Sequence, residues 1–336
     1  MDLKAGSTRL QSPLHLPGAA EVDAARANIA GTARRTPLWR LDARIPRADG
    51  PPANIYIKLE NLQPLGSFKI RAAVNAMKTA DPETLRKGVL APSAGNFGQG
   101  LAWAAREMGV SATIVAPDGS AATKVAALEA LGARVIRLPF DEWWTVLTSR
   151  RFDGVDALFL HPVAESAVVA GNATIGAEIL EDLPEVGTVI APFGGGGLIS
   201  GVGSVMRRLK PEVRMIAVES QAAQPAAAAL ANGGPTKVSF DQSFVDGMGS
   251  TTVLDEMWPL VRETVDEALC ASFGEIADAI RQLALKHRII AEGAGAAAVA
   301  AALSGKAGGG DIVCIISGGN IDASKLGAIL NGQDPF

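Results

Sequence analysis

Apolar residues along the chain fall into short continuous runs separated by longer segments of helical periodicity. The runs end at Gly, Pro, Asn or Ser, which is typical of buried strands. They predict strands at Ile55–Glu60, Val89–Ser93, Ala112–Pro117, Arg134–Pro139, Ala157–Pro162, Thr188–Phe193, Arg214–Glu219 and Asp311–Ile316. The other segments predict helices at Glu21–Ala33, Phe68–Thr79, Pro82–Lys87, Gly98–Met108, Ala121–Leu131, Ala170–Asp182, Leu198–Leu209, Asp255–Trp258, Phe273–Lys286, Glu292–Leu303 and Ala323–Leu330. This alternation predicts an α/β fold with mostly parallel sheets flanked by helices.

The length of 336 residues and the hydrophobic content of 48% predict two domains. The alternating strands and helices that start at Val89 predict a small mobile domain over 88–160. A second series of alternating strands and helices begins after it. Residues 1–87 and 161–336 are therefore predicted to form the large domain. Residues 1–20 carry Pro and Gly without periodicity and predict a loosely attached arm. The segment ARIPRADGPPAN, at 43–54, predicts a loop without regular structure.

Charge and composition exclude several classes of protein. The net charge of -4 would not attract nucleic acid or an anionic membrane. The apolar runs are far shorter than the roughly 20 residues that span a bilayer. No signal peptide is recognisable at the start, and Cys270 and Cys314 are far apart, so we expect a cytoplasmic protein with two reduced thiols. The three histidines have no metal-ligand spacing.

The first candidate for chemistry is Lys69, in the segment KLENLQPLGSFKIR. Pro64, Gly66 and Ser67 predict a turn, so Lys69 falls in the first turn of the helix that begins at Phe68. The positive end of a helix dipole disfavours the ammonium form and favours a neutral, nucleophilic amine. Schiff-base chemistry requires such an amine. Taken alone, the pattern also fits an ordinary solvated lysine.

A glycine run, Gly194–Gly197, connects the predicted strand TVIAPF to a helix that begins at Leu198. Consecutive glycines allow several backbone N–H groups to converge at a helix N-terminus, which predicts a site for a phosphate monoester. A dinucleotide fingerprint is the nearest competitor, but G-x-G-x-x-G would need glycine at Ile199 or Ser200. No phosphate-binding G-x-x-x-x-G-K-[ST] pattern is present.

The loop SAGNFGQG, from Ser93 to Gly100, lies between a predicted strand and a predicted helix. Its N–H groups and side chains predict a second anion site, suited to a substrate carboxylate. The local sequence fits a simple helix N-cap by Ser93 or Asn96 almost as well.

The motifs SFKIR, SAGNFGQG, GGGG and SGGN follow one another in this order along nearly the whole chain. Together they resemble the pyridoxal-phosphate enzymes of fold type II, and most closely the serine/threonine dehydratase and serine racemase group. The resemblance implies a two-domain fold like that of the tryptophan synthase β subunit. It also implies pyridoxal 5'-phosphate bound through Lys69, an amino-acid substrate and a homodimer.

The resemblance also assigns the site residues. For the cofactor it implies Phe68, Lys69, Asn96, Gly194, Gly195, Gly196, Gly197, Leu198, Gly247, Glu292 and Ser317; for the substrate it implies Ser93, Ala94, Gly95, Asn96, Phe97 and Gln99. Asn96 would bond the ring hydroxyl, and the neutral hydroxyl of Ser317 would face the pyridine nitrogen, which suits elimination better than transamination. Asn320 is expected to hold the SGGN turn.

Three positions depart from the relatives. Serine racemases have a serine where this chain has Ala94, and that serine acts as the second acid/base. Because alanine cannot carry a proton, elimination is favoured over racemisation. Many relatives have histidine at Phe97, which leaves the substrate side chain open. Relatives that bind a divalent cation use an acid at Glu219 and an aspartate six positions later, where this chain has Pro225, so no metal is expected.

The expected function is therefore a dehydratase or ammonia-lyase for L-threonine, L-serine or a larger β-hydroxy amino acid, with Lys69 as the base. Racemisation, β-replacement as in cysteine synthases, and a non-catalytic ligand-binding protein remain open as alternatives.

Overall fold

The computed structural model describes residues 8–9, 14–45, 52–308, 310–333 and 335. They form two sheets with helices packed on both. The five-stranded sheet has the order β1-β7-β4-β5-β6, and all its pairings are parallel. Its strands are β1 (Thr8–Arg9), β4 (Val89–Ala91), β5 (Ala112–Pro117), β6 (Arg134–Leu138) and β7 (Leu158–Phe159).

The six-stranded sheet has the order β10-β9-β8-β11-β3-β2. Its strands are β2 (Leu38–Ile45), β3 (Ala53–Lys58), β8 (Val186–Pro192), β9 (Arg214–Ser220), β10 (Glu267–Ala271) and β11 (Asp311–Ile315). Only β2, at one edge, runs antiparallel to its neighbour among the described strands. Since parallel strands direct their carboxyl ends to one edge, the loops after β8 and β11 lie close together.

The helices cover both sheets, and the apolar side chains between the layers form the core. They are α1 (Ala19–Ile29), α2 (Lys69–Thr79), α3 (Pro82–Arg86), α4 (Asn96–Met108), α5 (Ala122–Ala130), α6 (Phe140–Ser149), α7 (Ser166–Asp182), α8 (Gly197–Leu209), α9 (Pro225–Asn232), α10 (Trp258–Thr264), α11 (Phe273–Gln282), α12 (Gly293–Leu303) and α13 (Ala323–Leu330). A 3-10 turn, Glu60–Leu62, precedes α2, and a π-helical turn, Leu283–His287, follows α11. The predicted α/β class is confirmed.

Close packing among three helices depends on two glycines. A Cβ at Gly171 of α7 would lie 2.6 Å from the backbone oxygen of Arg71 in α2. A Cβ at Gly201 of α8 would lie 2.6 Å from the backbone oxygen of Val169 in α7. These contacts bring α2, α7 and α8 together beside the ends of β3 and β8.

Several predicted elements are wrong in extent or place. The predicted loop at 43–54 is partly strand: β2 continues to Ile45 and β3 begins at Ala53, because these residues pair with each other across the sheet edge. Residues 46–51 of that loop lie outside the described residues. A helix predicted at Asp255–Trp258 instead begins at Trp258 and ends at Thr264, with Pro259 in its first turn, where proline is well tolerated.

Other elements differ from the prediction at their ends or were not predicted. The first helix begins at Ala19 and ends at Ile29, earlier at both ends than predicted. Within the predicted arm, Thr8–Arg9 pair with β7, while residues 1–7 and 10–13 lie outside the described residues. The elements α6, α9 and β10 had no counterpart in the prediction.

Candidate active site

Lys69 lies in the first turn of α2, as predicted, although the helix begins at Lys69 itself and not at Phe68. Two aromatic rings and a backbone oxygen enclose its amine. Its Nζ donates to the carbonyl oxygen of Pro162 at 3.0 Å. It lies 5.1 Å from the ring centroid of Phe68 and 5.6 Å from that of Phe97. Burial lowers the pKa of Lys69 from 10.5 to about 8. The predicted direction is correct, but burial is the cause, and the helix N-terminus can only add to it.

The glycine run joins β8 to α8 in the predicted arrangement. Gly196 immediately precedes α8 with a positive φ of 89°, a conformation that favours glycine. A Cβ at Gly195 would lie 3.0 Å from the side chain of Val163, and one at Gly196 would lie 2.8 Å from Val261. The N–H groups of Gly197 and Leu198, in the first turn of α8, have no carbonyl acceptor within the helix. The loop can therefore receive an anion such as a phosphate.

The turn after β7 supports both Lys69 and the glycine run, and its role was not predicted. His161 is buried, and its Nδ1 accepts N–H groups of Val163 at 3.1 Å and Ala164 at 2.8 Å. Burial and the charges of Arg150 and Lys69 lower the pKa of His161 to about 3, so this ring is neutral. The available signal was position, because the sequence His-Pro ends the predicted strand Ala157–Pro162, and parallel sheets place their sites at the carboxyl ends of strands.

Two further side chains hold the glycine run by its carbonyl groups. Asn172 Nδ2 donates to the carbonyl oxygen of Gly197 at 3.0 Å. Ser250 Oγ lies 3.2 Å from the carbonyl oxygen of Gly194 and shares its single proton with that of Thr252 at 2.7 Å. Both come from segments far away in sequence, so no local motif indicated them. These contacts help to orient the glycine run.

Asn96 opens α4 and lies between two side chains from the other sheet. Its Nδ2 donates to Glu292 Oε1 at 2.8 Å, and its Oδ1 accepts from Asn320 Nδ2 at 2.8 Å. Burial and the charge of Asp246 raise the pKa of Glu292 to about 7. A Cβ at Gly247 would lie 3.3 Å from Glu292 Oε1, so Glu292 and Gly247 are in contact.

Ser317 follows β11 and is buried beside the start of α2. Its carbonyl oxygen accepts the N–H of Phe68 at 3.0 Å. Gly318 pairs with Ser67 in an isolated antiparallel bridge. The turn SGGN is therefore joined directly to the turn that presents Lys69.

A cavity of about 250 Å³ lies between the part of the chain that forms the five-stranded sheet and the loops of the six-stranded sheet. It brings together five of the predicted site residues: Gly95, Asn96, Gln99, Gly247 and Glu292. An ion pair between Lys124 and Asp246, 2.6 Å apart, lies in its wall.

The remaining predicted substrate residues surround the start of α4. Ser93 and Ala94 are half-buried, whereas Phe97 is only 1% exposed. A Cβ at Gly98 would lie 1.9 Å from the carbonyl oxygen of Ser93, so only glycine allows this turn to fold onto the loop. Phe97 thus faces Lys69 and the core of the five-stranded sheet rather than solvent.

Glu219 is engaged by backbone groups. Its two carboxylate oxygens accept the N–H groups of Ala226 at 2.7 Å and Ala227 at 3.0 Å, at the start of α9. Burial raises its pKa to about 7.

Within the described part of the chain, no group of three His, Cys, Asp or Glu side chains is arranged to hold a metal ion. In the same part, no helix has both the length and the apolar character needed to cross a membrane.

Known proteins resemble both the sequence and the fold. A family model described as pyridoxal-phosphate dependent enzyme matches residues 29–318. An L-threonine ammonia-lyase of Thermotoga maritima is 41% identical over 280 residues, which cover 82% of this chain and 70% of that protein.

Solved structures share the whole architecture. The structure of maize serine racemase has a TM-score of 0.82 and 29% identity, and covers 95% of this chain and 98% of its own. The threonine deaminase of tomato, Solanum lycopersicum, in its processed form as isoform 2, has a TM-score of 0.79 and 30% identity, and covers 95% of this chain and 95% of its own. The fold is therefore that of the fold type II enzymes.

Proposed function

Because the chain belongs to the family of pyridoxal-phosphate dependent enzymes, we propose that it is an ammonia-lyase that eliminates the hydroxyl group from β-hydroxy amino acids. L-threonine, L-serine or a bulkier analogue is the substrate, and the products are a 2-oxo acid, ammonia and regenerated enzyme. The observation that carries the proposal is the amine of Lys69, whose pKa of about 8 leaves roughly a tenth of the amine neutral at pH 7, far more than a pKa of 10.5 would allow. The ammonia-lyase of Thermotoga maritima supports the same reaction class.

The residues present fit pyridoxal 5'-phosphate. Lys69 would bind it covalently, the N–H groups of the glycine run and Leu198 would hold its phosphate, and Ser317 would face its pyridine nitrogen. The fit rests on the glycine run, where side chains at Gly195 and Gly196 would collide with Val163 and Val261. When bound, the cofactor supplies an electron sink for the charge that develops at the substrate Cα. Phe68, Gly247 and Glu292 complete the proposed cofactor site.

In this proposal, separate residues of the chain bind the substrate and move its protons. The loop Ser93–Asn96 binds the substrate carboxylate through N–H groups and side chains at the start of α4. Lys69, as a neutral amine, takes the proton from Cα, and its hydrogen bond to Pro162 and the two nearby rings keep it oriented and shielded from water. The β-hydroxyl leaves as water by taking up one proton, which balances the proton that Lys69 removed from Cα. The enamine product takes up water and releases ammonia to give the 2-oxo acid.

In this proposal, Ser317 favours elimination over transamination. A neutral hydroxyl supplies no negative charge that would keep the pyridine nitrogen protonated. The cofactor is then a weaker electron sink, which suits loss of a β-substituent better than transamination. The side chains of Phe97 and Gln99 lie nearby and set the size of the substrate side chain.

Racemisation is the second candidate, because the maize serine racemase shares the fold over nearly the whole chain. Ala94 argues against it, since a methyl group cannot carry a proton on the face opposite Lys69. β-Replacement would require a thiol nucleophile for turnover. A non-catalytic binding protein would leave Lys69→Ala without effect on any reaction.

We extend the proposal to assembly, location and domain motion. Trp39, Leu62 and Ile290 are 50%, 40% and 42% exposed and line a second cavity of about 310 Å³. Covering such a patch with a second copy would support a homodimer, which light scattering after gel filtration would test.

Two free cysteines fit the cytoplasm. Residues 88–160 are proposed as a small mobile domain, because they supply β4, β5, β6 and β7 of one sheet.

The test is a panel of β-hydroxy amino acids incubated with the holoenzyme, with ammonia and 2-oxo acid both measured. We expect equal amounts of the two products from at least one L-amino acid. Lys69→Ala should abolish the reaction, whereas Lys78→Ala, an exposed lysine of the same helix, should leave it unchanged. A yellow holoenzyme that converts no member of the panel would contradict the proposed reaction.

A further inference from the structure

The carboxamide of Asn96 is held at both ends by side chains from distant parts of the chain. Its Nδ2 donates to Glu292 Oε1, and its Oδ1 accepts from Asn320 Nδ2, both at 2.8 Å. Asn96 begins α4, Glu292 immediately precedes α12, and Asn320 follows β11. One amide thus joins the five-stranded-sheet part of the chain to two loops of the other sheet.

A backbone carbonyl fixes the direction of this amide. Asn320 Nδ2 also donates to the carbonyl oxygen of Leu65 at 2.9 Å. A carbonyl oxygen can only accept, so Asn320 must direct its NH₂ group towards both Leu65 and Asn96. The oxygen of Asn96 therefore faces Asn320, and its NH₂ group faces Glu292.

The hydrogen bonds of Glu292 require the same orientation of the Asn96 amide. The Glu292 carboxylate also accepts the backbone N–H of Asn320, so both of its contacts are with donors. At pH 8, above its pKa of about 7, Glu292 is mostly ionised, and an ionised carboxylate has no proton to donate to the oxygen of an inverted Asn96 amide. Inverting Asn96 would therefore break a bond at each end.

This arrangement leaves one N–H of Asn96 for a ligand. Its NH₂ group has two hydrogens, and Glu292 takes one. Within the described residues, the second N–H has no protein acceptor. Asn96, Glu292 and Asn320 all line the cavity of about 250 Å³. A ligand in this region therefore meets a donor whose direction is fixed by the protein.

We propose that Glu292 and Asn320 are positioning residues that hold the Asn96 amide so that its second N–H donates to the ring oxygen of the bound cofactor. This inference rests on the proposed function and on the contact between Asn96 and the ring hydroxyl that the family resemblance implies. A fixed N–H donor favours the anionic form of the oxygen that it contacts. The clamp formed by Glu292 and Asn320 therefore both strengthens cofactor binding and holds the ring oxygen ionised.

The test compares Glu292→Gln and Asn320→Ala, each alone and combined with Asn96→Ala, and Asn96→Ala by itself. Glutamine at 292 keeps the shape but removes the negative charge and replaces one of the two accepting oxygens with an NH₂ donor. Asn331→Ala is the control, because Asn331 is an exposed asparagine whose Nδ2 donates to Gly327 at 3.0 Å, away from the cavity.

Two quantities are measured: the dissociation constant of pyridoxal phosphate from the apo-protein at pH 8, and the pH midpoint of the holoenzyme absorbance. We expect Glu292→Gln and Asn320→Ala each to weaken binding about 5- to 10-fold. Each should raise the spectral midpoint by about one pH unit. Neither should add to the effect of Asn96→Ala, because both act through that amide. Asn331→Ala should match the wild type.

The inference is overturned if both single variants retain wild-type affinity and midpoint, or if their effects add fully to that of Asn96→Ala. Circular dichroism and unfolding of the apo-proteins confirm that the variants fold. If Asn320→Ala does not fold, Glu292→Gln alone and with Asn96→Ala makes the same comparison. A wild-type protein that binds no cofactor would instead contradict the proposed function and this inference with it.

Discussion

Arg71 and Glu60 form a two-point ion pair that has no exposed side-chain surface. Arg71 Nε donates to Glu60 Oε2 and Nη2 donates to Oε1, both at 2.8 Å. Glu178 in α7 accepts from the same guanidinium at 2.7 and 2.9 Å, and its Oε2 lies 2.6 Å from Lys58 Nζ. Two cations and two anions are thus neutralised together two residues after Lys69. This buried network fixes α2, which carries Lys69, against β3 and α7.

Removing one member of this network leaves an uncompensated buried charge. Glu60→Gln is expected to lower the free energy of unfolding by about 3–5 kcal/mol, measured by urea unfolding at pH 7. The control is Glu83→Gln, which breaks the Arg86–Glu83 pair whose side chains are 63% and 81% exposed; it should change stability by less than about 1 kcal/mol. Equal effects of the two substitutions would show that burial of the pair does not matter.

The same network predicts how stability depends on pH. Burial opposes ionisation of Glu60, but Arg71 outweighs it and holds the pKa of Glu60 below its usual value of 4.5. The ionised form therefore stabilises the folded chain above pH 4.5, and this contribution is lost as pH falls through the folded pKa. The stability difference between the wild type and Glu60→Gln should accordingly shrink in acid. A difference that stays constant down to about pH 3 would contradict this account.

Lys69 is expected to destabilise the apo-protein. Its pKa of about 8 lies below the usual 10.5 because burial disfavours the charge. The penalty is greatest below pH 8, is small by pH 10.5, and disappears above it, where the amine is neutral in both the folded and unfolded states. Lys69→Met should therefore stabilise the apo-protein by about 1–3 kcal/mol at pH 7 and by much less at pH 10.5. Lys78→Met, on the exposed side of the same helix, is the control.

Parts of the fold could be predicted because buried parallel strands consist of continuous apolar runs. The run Ala112–Pro117 matches β5 at both ends, and Ala323–Leu330 matches α13. Edge strands gave a weaker signal. β10, EALCA, is mostly half-exposed and carries a charge, and β2 runs on towards a Pro-rich segment that suggested only a loop.

The site was predictable where a local motif carries it, as with Lys69 and the glycine run. It was not predictable where residues meet only through packing. Glu178 lies 107 positions after Arg71, and Asn320 lies 224 positions after Asn96. Nothing in the local sequence of either pair indicates the partner, because the contact exists only once α7 packs on α2 or the SGGN turn reaches α4.

Ala94 allows a direct test of the choice between elimination and racemisation. Ala94→Ser places a hydroxyl where serine racemases have one, at a half-buried position. We expect this variant to raise racemisation of L-serine about 10²-fold or more, since a positioned acid/base contributes at least that much. Chiral chromatography measures the D-isomer, and Ala94→Gly controls for the change in volume. An appreciable D-isomer yield from the wild type would contradict the assignment as a lyase.

The central claim is that Lys69 carries pyridoxal phosphate. The most direct measurement is reduction of the yellow holoenzyme with borohydride, followed by proteolysis and mass spectrometry of the peptides. The account predicts a pyridoxyl phosphate adduct on the peptide that contains Lys69, and loss of that adduct in Lys69→Ala. An unmodified Lys69, or an adduct on another lysine in the wild type, would contradict it.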